Sequence, residues 1–310
     1  LIFMSLCLLV IPFLPASNLF FNVGFVLAER TLYLPSSGYC LLLTILLHKL
    51  TKLLTNRTLP LLLFTTLAAL WLSKSWLRSD EWRRETTLFR SALRICPLNA
   101  KVHYNVAKSA ADMGNTALAE AEYRVALHLH PDYAQAMNNL GNLLKDQGRH
   151  DDAEKLLRRA LEIQPDFPAA WMNLGIVLSA MKKFNDSEEA YKTSLYYRSN
   201  CPDCYYNLGI LYMELKQYKM ALDAWQRALE LRHKHRRAWT NTIRLLDDLD
   251  RSDDALRMGQ QALELFPDDP VIRLNVANIL GKMEKFVEAE VEFKMAAELD
   301  PMNPVIYTNL

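Results

Sequence analysis

At 310 residues, with 36 Lys and Arg against 35 Asp and Glu and a net charge of +1, the chain lacks the basic surplus that marks nucleic-acid binding. Its 51% hydrophobic content excludes a disordered chain, and nine glycines exclude fibrous and linker-rich classes. Length allows roughly two domains, and the charges divide them: residues 1–77 hold only Glu29, Arg30, Lys49, Lys52, Arg57 and Lys74. An oily front part precedes a charged, amphipathic back part, which excludes a purely soluble globular enzyme.

In the front part the sequence predicts three membrane spans, over residues 1–21, 32–50 and 59–76, with a loop over 22–38. Residues 1–21 carry no charge, and about 20 apolar residues cover the hydrocarbon core of a bilayer. A signal peptide fits less well, because no basic segment leads it and further apolar segments follow. The second span is short and needs Lys49 to snorkel, with a re-entrant or interfacial segment as the main alternative. The first residue is Leu1, and Leu310 falls just after a helical pattern restarts, so the sequence reads as a fragment of a longer protein.

The back part repeats every 34 residues. Pro97, Pro131, Pro165, Pro267 and Pro301 share one phase, and Ala107, Gly141, Gly175, Gly209, Ile243 and Ala277 share a second. Ala119, Ala153, Ser187, Ala221, Ala255 and Ala289 make a third phase, and Ala126, Ala160, Ser194, Ala228, Ala262 and Ala296 a fourth. Small residues are required where paired helices approach closely, and proline is tolerated where one pair gives way to the next. This pattern, with Trp171, Tyr205 and Trp239 as bulky anchors, resembles the tetratricopeptide repeat. The resemblance implies an all-α chain: a short bundle of transmembrane helices followed by a right-handed tetratricopeptide-repeat superhelix. Six repeats fill 100–303, a seventh begins before residue 310, and 78–99 reads as a half-repeat connector. The fifth repeat departs most, with Ile243 at a small-residue slot and Gly259 where an aromatic is usual.

One phase is constant: Asn105, Asn139, Asn173, Asn207, Asn241 and Asn275, continued by Asn309. In such repeats the first helices line a concave surface, where a column of amides offers donors and acceptors to a peptide backbone without reading its side chains. The same column also reads as local packing.

Cys201 and Cys204 form Cys-Pro-Asp-Cys at a helix start, where a thiolate is favoured. Without a thioredoxin-like βαβ context, a local disulfide or two inert thiols fits better than redox catalysis. The run Arg232 to Arg237 reads as a solvated turn more readily than as an anion-binding surface. Asn185 begins an N-glycosylation sequon, as does Asn56. No phosphate-binding glycine loop, Ser-His-Asp set or metal-ligand spacing is present, and no metal site is expected.

The string Asn22-Val23-Gly24-Phe25-Val26-Leu27-Ala28-Glu29-Arg30-Thr31-Leu32-Tyr33-Leu34-Pro35-Ser36, ahead of a helix pair and the repeats, resembles the transmembrane and tetratricopeptide repeat-containing family. The stretch Pro202-Asp203-Cys204-Tyr205-Tyr206-Asn207-Leu208-Gly209 looks most like its fourth member. The resemblance implies an endoplasmic reticulum membrane O-mannosyltransferase that uses dolichyl-phosphate mannose and modifies cadherins and protocadherins, with the repeats in the lumen holding the acceptor. Family members keep their catalytic acids in an early luminal loop that this sequence does not contain. The fragment is therefore expected to be inactive alone, to bind no cofactor itself, and to leave any metal requirement open. On this reading Arg30 clamps the phosphate of the donor, Glu29 orients it, and Tyr33 and Ser36 add hydrogen bonds; alternatively Glu29 and Arg30 only hold the loop at the membrane surface. The competing class is a cytosol-facing repeat scaffold without catalytic activity. Lys49, Lys52 and Arg57 place the repeats in the lumen by the positive-inside rule, whereas Arg78, Arg83, Arg84, Arg90 and Arg94 argue the opposite.

Overall fold

The computed structural model describes residues 1–12, 33–53 and 58–309, and these form helices with no strand among them. They fall into two compact units, Leu1–Leu88 and Phe89–Leu310.

In the first unit, α1 (Ile2–Val10) packs against α2 (Tyr33–Leu53), followed by α3 (Thr58–Glu81). Gly38 sets the closeness of α1 and α2: a Cβ there would lie 2.5 Å from the backbone nitrogen of Leu9 and 2.6 Å from the Ser5 carbonyl oxygen. Ser5 is fully buried, its hydroxyl donating to the Leu1 carbonyl at 3.0 Å. Small residues of this kind let helix backbones touch where no water competes for them. Among the described residues, α3 is the one helix long and apolar enough to cross a membrane. It exposes Leu61, Leu62, Phe64, Leu70, Leu72 and Trp76. Helix α2 has the length but ends in His48, Lys49 and Lys52, and the expected first span continues beyond α1 into residues outside those described.

Helix α3 runs past residue 77 to Glu81. The charged end of α3 is carried by an Arg78–Glu81 ion pair one turn apart, and the Arg78 guanidinium lies 5.8 Å from the Trp82 ring centroid. Helix α4 (Glu85–Ile95) occupies much of the expected connector.

The second unit is built of helix pairs. They are α5 (Ala100–Asp112) with α6 (Thr116–Leu129), α7 (Ala134–Asp146) with α8 (His150–Ile163), and α9 (Pro168–Ala180) with α10 (Phe184–Tyr197). Next come α11 (Pro202–Glu214) with α12 (Tyr218–Leu231), α13 (Arg236–Asp248) with α14 (Ser252–Leu265), and α15 (Pro270–Lys282) with α16 (Phe286–Leu299), before the short α17 (Pro304–Asn309). First helices have 13 residues and second helices 14 throughout.

The small-residue phases explain this regularity. Ala126, Ala160, Ser194, Ala228, Ala262 and Ala296 are each 0% exposed. Where serine replaces alanine its hydroxyl finds a carbonyl across the pair: Ser187 donates to Gly175 at 2.7 Å and Ser194 to Pro168 at 2.8 Å. Buried hydroxyls left unpaired cost on the order of 1–3 kcal/mol, so these bonds make serine acceptable there. Between repeats, the anchor side chains bond the carbonyl six residues back. Trp171 donates to Pro165 at 2.7 Å, Trp239 to His233 at 2.8 Å and Arg273 to Pro267 at 2.9 Å.

The fifth pair is different. Helices α13 and α14 pack less intimately than the other five pairs. Ile243, fully buried on α13, stands where the other first helices carry glycine or alanine. Opposite it Gly259 replaces the bulky residue, and Val276 of α15 moves into that space, its Cγ2 lying 2.5 Å from where a Gly259 Cβ would be.

Candidate functional site

The asparagine column lies on the first helices of the repeats, and the structure shows what each amide does. Asn139 Nδ2 donates to the Tyr104 hydroxyl at 3.1 Å, Asn173 Nδ2 to Asn138 Oδ1 at 2.9 Å, and Asn241 Nδ2 to the Tyr206 hydroxyl at 3.3 Å. Each bond spans 35 residues, reaching back to the residue just before the preceding asparagine. Asn138 in turn donates to Asn139 Oδ1 at 3.1 Å, so Tyr104, Asn139, Asn138 and Asn173 form one chain across three first helices.

The rule behind these bonds is local. An asparagine is paired where the residue 35 positions earlier is Tyr104, Asn138 or Tyr206. Asn207 faces Met172 in that register, and Asn275 faces Thr240, whose hydroxyl donates to Arg236 instead at 3.2 Å. Asn207 and Asn105 make no side-chain hydrogen bond among the described residues, and the Asn275 Nδ2 is buried without a partner. The column is thus divided. Asn139, Asn173 and Asn241 tie neighbouring repeats together, while Asn105, Asn207 and Asn275 keep donors uncommitted.

Near the start of the column, burial pushes the Tyr123 phenol up to about 12 against the weaker pull of the Asn139 amide. It stays neutral and is available as a donor at physiological pH. Tyr104 lies against it, ring centroids 5.9 Å apart, and Tyr133 against Tyr104 at 5.1 Å. Clustered, mutually tilted aromatics beside half-buried amides suit an extended polypeptide better than a small charged ligand.

A separate cavity of about 820 Å³ opens between α12 and α14, floored by Trp239 and Leu246 of α13 and by Leu249 just after it. At the first two such seams ion pairs link a second helix to the residue that precedes the next one, Glu120 with Arg149 at 2.9 Å and Glu154 with Lys183 at 2.8 Å. At α12 the equivalent position is Leu222, and among the described residues Arg251 pairs only with Asp254, at 2.6 Å, the counterpart of the Arg149–Asp152 pair. Arg251 and then Arg257 hold that carboxyl below its usual range.

Of the remaining predicted positions, Cys201 and Cys204 are disulfide-bonded at the start of α11. Asn185 is exposed in the first turn of α10, but Ser187 of its sequon is fully buried. Ser36 lies in the first turn of α2, which Tyr33 begins, and Arg30 and Glu29 lie outside the described residues. The described residues hold no cluster of His, Cys, Asp and Glu fit for a metal ion. Sequence reasoning missed the division of the asparagine column, although the residue 35 positions back carries the signal.

Comparison with known proteins gives the back part its family. Tetratricopeptide repeat models match residues 104–168, 144–205 and 202–235. The fold is also that of the crystal structure of the APC/C hetero-tetramer Cut9-Hcn1, with a TM-score of 0.61, 16% identity, and coverage of 75% of this chain and 46% of that one. Human "Protein O-mannosyl-transferase TMTC4" is 56% identical over 126 residues, 39% of this chain. Human "Protein O-mannosyl-transferase TMTC1" is 45% identical over 128 residues, 40% of this chain. The matches span only 16% and 14% of those two proteins. With its regular 34-residue helical array after an apolar front unit, the chain is similar over about two fifths of its length to the transmembrane and tetratricopeptide repeat-containing O-mannosyl-transferases.

Proposed function

We propose that this chain is part of a membrane protein O-mannosyltransferase. It moves mannose from dolichyl-phosphate mannose to Ser or Thr of secretory-pathway proteins of the cadherin kind, and its repeats hold the acceptor polypeptide. The 56% identity to a named O-mannosyl-transferase supports the reaction class. The observation that carries the acceptor role is the asparagine column, and in particular the amides at Asn105 and Asn207 that serve no bond within the array. Chemistry is assigned to parts of such an enzyme beyond the segment matched here, with Arg30, Glu29, Tyr33 and Ser36 holding the phosphate of the lipid-linked donor. The apolar face of α3 anchors this arrangement in the endoplasmic reticulum bilayer, with the repeats in the lumen.

The test is acceptor binding and mannosylation by the full-length enzyme carrying Asn105→Ala and Asn207→Ala. Neither change removes a bond that holds the array together, so weaker acceptor binding with an unchanged melting temperature is the expected result. Unchanged binding would remove the amides from the acceptor site.

The five arginines that follow or end α3 favour a second reading, a scaffold with its repeats in the cytosol. Protease protection of the repeats in sealed microsomes is expected under the first reading and excludes the second.

A further inference from the structure

The structure joins two sequence features that the acceptor site does not use. Cys201 and Cys204 close their disulfide across the first turn of α11, and the basic segment between α12 and α13 lies on that turn. Arg232 grips Asp203, the residue between proline and Cys204, through two bonds of 3.1 Å. His235 Nε2 donates to the same carboxylate at 3.2 Å, and its Nδ1 accepts the Ala238 backbone N–H at 3.2 Å.

We propose that Cys201–Cys204 is a thiol–disulfide exchange site acting on peptide dithiols. The two sulfurs are unequal: Cys204 is 1% exposed, whereas Cys201 is only half-buried. An incoming thiolate reaches Cys201, and Cys204 is the leaving group. Cys201 has a donor ready for negative charge. Cys201 caps α11, its Sγ accepting the Cys204 backbone N–H at 3.2 Å at the positive end of the helix. The Ser194 hydroxyl lies 3.3 Å from Cys204 Sγ, with its proton directed at the Pro168 carbonyl. The one carboxylate inside the turn is neutralised by Arg232, so it does not oppose a thiolate. Capping alone does not explain the cysteine, because Asn99 and Asp269 fill the same place in other repeats and accept backbone N–H groups with oxygen at 3.0 and 2.9 Å.

The exchange balances as follows. A substrate thiolate attacks Cys201 Sγ, the Cys201–Cys204 bond breaks, and its electron pair leaves on Cys204 Sγ, which takes up a proton. A second thiolate of the same peptide attacks the substrate sulfur of the mixed disulfide and releases Cys201 as a thiolate. The peptide loses two electrons and two protons as its disulfide closes. A low-molecular-weight disulfide, such as oxidised glutathione, restores Cys201–Cys204 by the reverse exchange.

The experiment uses the full chain in detergent with a synthetic peptide carrying two reduced cysteines, read by mass spectrometry. The oxidised chain is expected to convert the peptide to its disulfide one for one, and Cys201→Ser to abolish this. Given the oxidised peptide, Cys204→Ser is expected to hold a mixed disulfide at Cys201, and Cys201→Ser to hold none at Cys204. If either variant fails to fold, alkylation of the reduced unmodified chain decides: Cys201 is expected to react about tenfold faster at neutral pH than the free Cys96, as a stabilised thiolate does. No peptide oxidation, equal trapping at both cysteines, or alkylation of Cys201 no faster than of Cys96 would each overturn the proposal and leave a structural staple.

Discussion

A Cβ on Gly209 would stand 2.5 Å from Cδ1 of Trp225, so the indole occupies the space that any other residue on α11 would need. The same pairing, sixteen residues apart, recurs as Gly175 with Tyr191 at 2.6 Å and Gly141 with Leu157 at 2.9 Å. Gly209→Ala should gain about 1 kcal/mol of helix propensity but lose about 1–3 kcal/mol to overpacking against a fully buried ring. The net expectation is destabilisation, read from urea midpoints of the full chain. In the fifth repeat the pair is inverted, and the methyl of Gly259→Ala meets Val276 instead. The loss there should shrink when Val276→Ala is added, because the two changes share one space.

The turns inside the repeats hold a second periodic feature. Gly114 and Gly148 take positive φ at 77°, and the equivalent residues further on are Lys182 at 61°, Lys216 at 58°, Asp250 at 56° and Glu284 at 62°. Left-handed backbone costs a residue with a Cβ about 1–2 kcal/mol. Lys182→Gly and Lys216→Gly should therefore each stabilise the array, by less than that figure because glycine also frees the unfolded chain. Calorimetry of the single and double variants checks this, and a melting temperature that fails to rise in both would remove the strain argument.

The ion pairs and buried phenols give the array opposite sensitivities at the two ends of the pH scale. Arg124 first, and Arg149 with it, holds Glu120 below its ordinary value of 4.5, and Lys183 with Arg158 does the same to Glu154. A carboxyl lowered in the folded state contributes stability above its unfolded value, and that contribution is lost as pH falls below 4.5. Tyr123 runs the other way. Its raised value, from 10.0 to about 12, contributes stability that is complete below pH 10 and lost as pH rises toward 12. Urea midpoints should drop at both ends. Glu120→Gln with Glu154→Gln should flatten the acid limb only, and Tyr123→Phe the alkaline limb only.

How much of this was legible in the sequence depends on the distance over which each choice is made. The 34-residue period is written in residues that must be small, such as Ala126 and Ala160, so the helix pairs and their order follow from composition alone. The fifth repeat's departure was visible as Ile243 and Gly259, but not its remedy, because Val276 belongs to the next repeat. The apolar stretch over 59–76 lies inside the longer helix α3, because pairs such as Arg78 with Glu81 continue the helix beyond it. Asp203 and Arg232 lie 29 residues apart in the chain. Reading them singly gave a helix start and a solvated turn, and only folding showed one neutralising the other.

The asparagine column separates stability from recognition, and its members should respond differently to the same change. Asn173→Ala removes the donor to Asn138, which is buried and would keep only its own bond to Asn139, so a loss of about 1–3 kcal/mol is expected. Asn241→Ala removes one bond to a tyrosine hydroxyl, for about 0.5–1.5 kcal/mol, and Asn139→Ala removes two, the bond to Tyr104 and the one accepted from Asn138, for about 1–3 kcal/mol. Tyr104→Phe in an Asn139→Ala background should cost little more than Asn139→Ala alone, because Tyr104 and Asn139 share one bond. Asn207→Ala breaks nothing within the array and should leave the urea midpoint unchanged. Asn275→Ala relieves a buried donor that has no partner and should be neutral or stabilising. Acceptor affinity measured on the same five variants in the full-length enzyme then has a clear pattern to meet. If the column grips polypeptide, Asn207→Ala weakens binding without weakening the fold. If affinity instead tracks the midpoint across all five, the asparagines serve the repeats alone and the acceptor lies elsewhere.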